Sequence, residues 1–140
     1  LFRSVGEFYD DPEEYYQLCD RLGISGLVTF ENRFIATAEI QHYFSAIDLV
    51  AQTYHTASQS GITQIAYNFH SPMLVTNVGG LAEIVNHNEL GYVVEKDPKE
   101  IADAIIDFFT NNRFESFSRE VANEKKKYSW DRFAETLLSE

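Results

Sequence analysis

The segment 58–64, Ser-Gln-Ser-Gly-Ile-Thr-Gln, combines hydroxyl and amide side chains around a glycine. Apolar residues at helical spacing follow it, so the segment is expected to open a helix. The first N–H groups of that helix and the positive end of its dipole would face an anion, and Gly61 would let the anion approach the backbone closely. This pattern favours diphosphate binding, although purely structural strand-to-helix turns share it. The residues expected at such a site are Ser58, Gln59, Ser60, Gly61, Ile62, Thr63 and Gln64.

A second turn, Gly79-Gly80, follows the apolar run 73–76 and leads to Glu83. Paired glycines are typical of a tight connection between a strand and a helix. Glu83 has two interpretations. It approaches a ligand from the facing loop, or it stabilises the start of a helix through the dipole, and the second is favoured.

The distribution of charge restricts the partners of this chain. Its formal net charge of −11 disfavours nucleic-acid binding, which depends on Lys and Arg neutralising phosphates. No Lys or Arg occurs between Phe34 and Glu95. A diphosphate at residues 58–61 would therefore be met by the helix terminus, by hydroxyls, by His55 or His70, or by basic residues outside this window.

Several other kinds of site are not expected. Cys19 is the only cysteine, so no internal disulfide can form, and a reducing, cytoplasmic compartment fits. The four histidines have no spacing typical of metal ligands, so neither a metal nor a cofactor is predicted. No apolar run reaches the roughly 18 residues of a membrane span. The chain starts at Leu1 inside an apparent strand, which predicts that it is a fragment of a larger protein.

Short apolar runs alternate with helical patterns along the chain, which predicts one domain over residues 1–140. Strands that alternate with helices favour an α/β, Rossmann-like doubly wound fold, with a mainly parallel sheet and helices on both faces. Ligands of such folds bind beyond the carboxyl ends of the strands, where residues 58–64 would lie. The predicted strands are 1–8, 27–30, 48–51, 73–76 and 91–94.

Capping residues locate several of the predicted helices. Asp11 and Asp97 each precede a proline and acidic residues, a pattern typical of helix starts. The first helix is expected to end near Leu22. A second helix is predicted over 37–47, and a third begins after residue 61, with Ile62, Ile65, Ala66 and Phe69 on its apolar face. The helix that Asp97 caps has an apolar face made of Ile101, Ala104, Ile105 and Phe108. One further helix is predicted to end at 125–127, and Ser129 is predicted to cap a last helical segment that contains Trp130, Phe133 and Leu137.

Nearly the whole chain resembles the C-terminal, donor-binding domain of GT-B glycosyltransferases, in particular family 4 (group 1) enzymes of the bacterial polysaccharide type. Segments 59–66, 72–76 and 78–85 carry most of this resemblance. It implies a retaining, metal-independent transfer of a sugar from a nucleotide diphosphate to a hydroxyl. By the same resemblance, Ser60, Gly61 and Ile62 present N–H groups to the diphosphate, with a hydroxyl from Thr63. Arg33 and Phe34 would lie where relatives hold the nucleotide base, although a core position is favoured for Phe34.

The resemblance also implies parts that this chain does not contain. An N-terminal domain would bind a glycan or lipid-linked acceptor, with peripheral contact at the inner membrane. An Arg and a Lys that hold the phosphates would precede Leu1, so these 140 residues are expected to be inactive alone. The chain departs from its relatives at Gln59 and Gln64, near positions where they carry glutamates. An amide cannot act as a base, so no catalytic role is carried over.

Three other functional classes remain open. A nucleotide-sugar epimerase would share the GT-B architecture and the donor site. A noncatalytic donor-binding domain would explain the lost glutamates. A response-regulator-like module would share the alternation of strands and helices, but the long segment without cations argues against its acidic pocket and partner lysine.

Overall fold

The computed structural model describes residues 1–126. These residues form two compact units, Leu1–Tyr43 and the part of the chain that begins at Phe44. In each unit strands alternate with helices, and neighbouring strands run parallel. The predicted fold class, α/β and Rossmann-like with mainly parallel strands, is confirmed. That residues 1–140 form one domain stays a prediction.

The first unit holds a two-stranded parallel sheet with Phe2 opposite Val28. The predicted cap at Asp11 differs by one residue. Pro12 takes the N-cap position, while Oδ1 of Asp11 accepts a hydrogen bond from the N–H of Glu13 at 3.0 Å. The elements of this unit are β1 (Phe2–Val5), α1 (Glu13–Arg21), β2 (Val28–Glu31) and α2 (Thr37–Phe44), whose last residue begins the second unit.

The second unit holds a three-stranded parallel sheet in the order β3-β4-β5. The central strand is buried throughout, as expected for a parallel sheet covered on both faces. Met73 and Val75 pack in one apolar cluster, and Leu74 packs in the other. The elements are β3 (Val50–Gln52), α3 (Gly61–Asn68), β4 (Met73–Thr76), α4 (Leu81–Ile84), β5 (Gly91–Val94), α5 (Pro98–Thr110) and α6 (Phe114–Lys125).

The helices of the second unit supply both clusters. Ala66 and Tyr67 of α3 pack with Met73, whereas Ala104 and Phe108 of α5 pack with Leu74. The predicted cap of α5 is observed: Oδ1 of Asp97 accepts hydrogen bonds from the N–H groups of Lys99 at 2.8 Å and Glu100 at 3.1 Å. Local capping chemistry therefore starts α5, and burial against the sheet holds it in place.

The bounds of several predicted elements differ from the structure, as for the strand predicted over 1–8, which is Phe2–Val5. The helix predicted to reach residue 47 ends at Phe44, and the strand predicted over 48–51 lies at Val50–Gln52. The buried face of α3 consists of Thr63, Ala66 and Tyr67, while Ile62 of the predicted face is 38% exposed. A threonine can face inward here because a buried polar partner, described below, satisfies its hydroxyl.

The helical segment predicted to be capped by Ser129 lies outside the described residues. Among residues 1–126, no helix has the length and apolar character that crossing a bilayer requires.

Candidate functional site

The turn between β3 and α3 presents backbone donors to solvent. Ser60 is the N-cap of α3, and its Oγ accepts a hydrogen bond from the N–H of Ile62 at 3.2 Å. Among residues 1–126, the N–H groups of Ser60 and Gly61 have no acceptor. Gly61 is exposed, and a Cβ at this position would meet no atom within 4 Å. The turn therefore offers two unused donors at the positive end of a helix, with open space around the Cβ position of Gly61.

Ile62 and Thr63 have hydrogen-bond partners within the protein, and their contact with a diphosphate stays a prediction. The N–H of Ile62 is already used by the cap at Ser60. The Thr63 side chain is fully buried, and its Oγ1 exchanges hydrogen bonds with the buried amide of Gln52 at 3.2 and 3.3 Å. The Thr63 hydroxyl thus joins the start of α3 to the end of β3 and does not reach the surface of the turn.

The Gly79-Gly80 turn packs directly on the loop that precedes α3. Gly79 has a φ of +50°, and a Cβ there would lie 1.6 Å from the carbonyl oxygen of Ala57. The N–H of Gly80 donates a hydrogen bond to the carbonyl of Ser58 at 3.1 Å. The glycines are therefore needed for contact between the two loops, in addition to the shape of the turn itself.

Two further contacts hold the loop of residues 53–60. Oγ1 of Thr76, at the end of β4, donates a hydrogen bond to the carbonyl of Tyr54 at 2.6 Å. Nζ of Lys96, just after β5, donates to the carbonyl of His55 at 3.3 Å. The candidate site thus lies at the carboxyl ends of three parallel strands, where ligands of such sheets bind. Sequence reasoning missed Lys96, because only the β3-β4-β5 order brings it to this loop.

The remaining predicted residues of the second unit lie at the surface. Gln59 and Gln64 are exposed on either side of the cap, and Ser58 is exposed while its carbonyl is bonded to Gly80. Glu83 lies in the first turn of α4 and is also exposed. This position suits the helix dipole, which is the structural interpretation that the sequence favoured. Contact of these side chains with a ligand stays a prediction.

In the first unit, Arg33 is clamped by two carboxylates. Its guanidinium donates hydrogen bonds to Glu31 at 2.8 and 3.0 Å, and to Glu39 at 2.7 and 3.0 Å. The hydroxyl of Tyr43 donates to Glu31 at 2.5 Å and accepts from Arg33 at 2.9 Å. The positive charge of Arg33 is thus already paired.

Phe34 lies on the loop that this clamp holds. The nitrogen Nη1 of Arg33 also donates to the carbonyl of Phe34 at 3.2 Å. The ring of Phe34 is 72% exposed, so the favoured core position for this aromatic was wrong. The assignment of Arg33 and Phe34 to a nucleotide base stays a prediction.

The clamp, Arg33 with Glu31 and Glu39, leads to a prediction about the pH dependence of stability. Hydrogen bonds from Arg33 and, to a smaller extent, from the N–H of Ala36 lower the pKa of Glu39 from 4.5 to about 2. A carboxylate whose folded pKa is depressed stabilises the fold above its unfolded pKa, and this stabilisation is lost as the pH falls towards 2. We therefore expect NMR titration of the Glu39 carboxylate to give a pKa near 2.

The Arg33→Gln variant tests whether the guanidinium of Arg33 lowers the pKa of Glu39. Removing the guanidinium should return the pKa of Glu39 towards its ordinary value, whereas Arg21→Gln, a change of equal charge on α1, should leave it low. An ordinary pKa of Glu39 in the unmodified protein would contradict the clamp.

Within the described part of the chain, no three His, Cys, Asp or Glu side chains are grouped so that they could hold a metal ion. Two surface depressions lie elsewhere, one beside Cys19 and Phe30 and one beside Asp48 and Phe108. The turn is thus an open surface whose chemistry is that of backbone donors and hydroxyls.

Comparison with known sequences gives one family. Residues 2–111 match the family model described as glycosyl transferases group 1. Spore coat protein SA of Bacillus subtilis is 24% identical over 142 aligned positions, which cover 97% of this chain and 33% of that protein. An uncharacterized glycosyltransferase of Methanocaldococcus jannaschii, MJ1607, is 29% identical over 137 positions, covering 92% of this chain and 34% of that protein. The chain spans about a third of the length of these relatives.

Comparison with solved structures gives the same architecture. Sucrose-phosphate synthase from Thermosynechococcus elongatus superposes with a TM-score of 0.80 at 17% identity, covering 98% of this chain and 36% of the enzyme. Anabaena HepE, solved in complex with UDP, gives a TM-score of 0.76 at 24% identity and covers 99% of this chain and 40% of HepE. At these identities the likeness shows a shared fold.

Proposed function

Because the chain belongs to the group 1 glycosyl transferases, we propose that residues 1–140 are the donor-binding domain of a GT-B glycosyltransferase that uses a nucleotide-diphosphate sugar. The observation that carries this proposal is the open start of α3, where the N–H groups of Ser60 and Gly61 have no protein acceptor. A diphosphate is the anionic part of such a donor, and a helix N-terminus suits it. The complex of the structural neighbour HepE with UDP supports the same ligand class.

The proposed role of the turn is to stabilise the departing nucleotide. Negative charge builds on the diphosphate as the bond to the sugar breaks, so donors aimed at the phosphate stabilise the transition state more than the ground state. Two N–H groups and the dipole of α3 supply this stabilisation without a metal ion. Gln59 and Gln64 would contribute amide hydrogen bonds to sugar or ribose hydroxyls.

Acceptor binding and sugar transfer would require the whole protein. We propose that an N-terminal domain outside these residues binds the acceptor, a hydroxyl of a glycan or of a lipid-linked glycan. The full-length protein would then transfer the sugar with retention of configuration in bacterial polysaccharide or cell-envelope synthesis, on the cytoplasmic side of the membrane. The 140 residues by themselves would bind the donor without catalysing transfer.

Calorimetric titration of the full-length protein with UDP, GDP and ADP tests the ligand class. We expect one of the three to bind, with equal affinity in EDTA because no metal is needed. Hydrogen exchange of residues 53–64 should slow when that nucleotide is bound, since a phosphate would order the turn. No binding of any of the three, or protection confined to other segments, would refute the donor site.

Product analysis tests the reaction class. Incubation of the full-length protein with the corresponding nucleotide sugar and a glycan acceptor should release nucleoside diphosphate and lengthen the acceptor. Formation of an epimeric sugar without acceptor would instead identify an epimerase of the same architecture.

A further inference from the structure

Lys96 is an exposed cation that contacts the loop leading into the candidate site. Its Nζ donates a hydrogen bond to the carbonyl of His55, 41 positions earlier in the chain, at 3.3 Å. Across residues 1–126, no carboxylate forms an ion pair with it, whereas the nearby Lys99 is paired with Asp103 at 2.5 Å. The partner of Lys96 is therefore a neutral carbonyl and not a carboxylate.

The loop that Lys96 contacts has no secondary structure of its own. Residues 53–60 lie between β3 and α3 and carry neither helix nor strand. Their carbonyls are held at Tyr54 by the buried Thr76, at His55 by Lys96, and at Ser58 by the backbone of Gly80. Of the three donors, only Lys96 is a long, charged side chain.

The charge of Lys96 matters because other cations are absent from this part of the chain. No Lys or Arg occurs between Phe34 and Glu95, so neither the loop nor α3 carries one. An ammonium has three donors, and the His55 carbonyl uses one of them. Two donors and a positive charge remain at the carboxyl ends of the strands.

We propose that Lys96 is a positioning residue for the nucleotide-sugar donor. It fixes the loop that leads into the turn at Ser60 and Gly61, and it supplies positive charge for the diphosphate from the end of β5. This inference rests on the proposed function, because it takes the ligand to be a nucleoside diphosphate.

Three variants of the full-length protein test this role. Lys96→Met keeps the length of the side chain and removes the charge, Lys96→Arg keeps the charge and a donor, and Lys99→Met is the matched control on α5. We expect Lys96→Met to weaken binding of the nucleoside diphosphate about tenfold, the effect of losing one charge-assisted hydrogen bond. Lys96→Arg should stay within about threefold of the unmodified protein, and Lys99→Met should not change the affinity.

Hydrogen exchange in the absence of nucleotide measures separately whether Lys96 stabilises the loop of residues 53–60. Residues 53–60 should exchange faster in Lys96→Met than in Lys99→Met, because only the first loses the bond to His55. Equal affinity in Lys96→Met and Lys99→Met, while the unmodified protein binds, would overturn the inference and leave the proposed function standing. If the unmodified protein binds no nucleoside diphosphate, the proposed function and the donor role of Lys96 both fall.

Discussion

Replacing Ser60 with aspartate is expected to weaken binding of the nucleoside diphosphate at least about 100-fold, which corresponds to about 2.7 kcal/mol. Aspartate is as good an N-cap as serine, so the hydrogen bond to the N–H of Ile62 and the start of α3 should persist. The new carboxylate lies where the diphosphate is proposed to bind, and like charges at short range repel. Calorimetric titration of the full-length variant measures the loss.

Ser60→Asn is the matched control for this prediction. Asparagine caps helices as well as aspartate does and is nearly the same shape, but it carries no charge. We expect it to bind the nucleotide within about fivefold of the unmodified protein, with the same thermal unfolding midpoint as Ser60→Asp. Equal affinities of the two variants would mean that no anion binds at the start of α3.

Replacing Gly79 with alanine is expected to destabilise the second unit by about 3 kcal/mol. The residue has a φ of +50°, which L side chains rarely adopt, and the new Cβ would lie 1.6 Å from the carbonyl oxygen of Ala57. The backbone has to move to relieve this overlap, because the new Cβ would meet a backbone oxygen and not the end of a flexible side chain. Urea unfolding of the full-length protein, followed by hydrogen exchange of residues 73–80, measures the change.

The Gly61→Ala variant is expected to lose donor binding without losing stability, in contrast to Gly79→Ala. Its Cβ would meet no atom within 4 Å, so this variant should be as stable as the unmodified protein. The added methyl group would occupy the open space beside Gly61, where the diphosphate is proposed to approach, and donor binding should be lost. If Gly79→Ala proves as stable as Gly61→Ala, the close packing of the two loops is wrong.

Much of the fold could be predicted because its signals are local. The strands Met73–Thr76 and Gly91–Val94 have the predicted bounds, since each is an apolar run with a proline or glycine at its start. The cap at Asp97 was predicted because it binds N–H groups two and three residues along the chain, and the observed cap at Ser60 is equally local. The candidate turn was located from the same kind of signal.

Other features depend on partners far away in the sequence. Thr63 faces inward because Gln52, 11 positions earlier, satisfies its hydroxyl. Periodicity cannot show this, since it counts threonine as polar and places isoleucine inside. The sequence placed Arg33 where relatives hold the nucleotide base but did not predict its ion pairs, which form because folding brings Glu39 and Glu31 to its guanidinium.

The sequence by itself determined the alternation of strands and helices, the fold class, the family resemblance and the position of the candidate turn, because all of these depend on residues close together along the chain. Only the tertiary structure decided what holds that turn. Thr76 reaches back 22 positions and Lys96 reaches back 41 positions to the same loop. Both contacts exist because β3, β4 and β5 lie side by side in parallel, so that segments distant in sequence meet at one edge of the sheet.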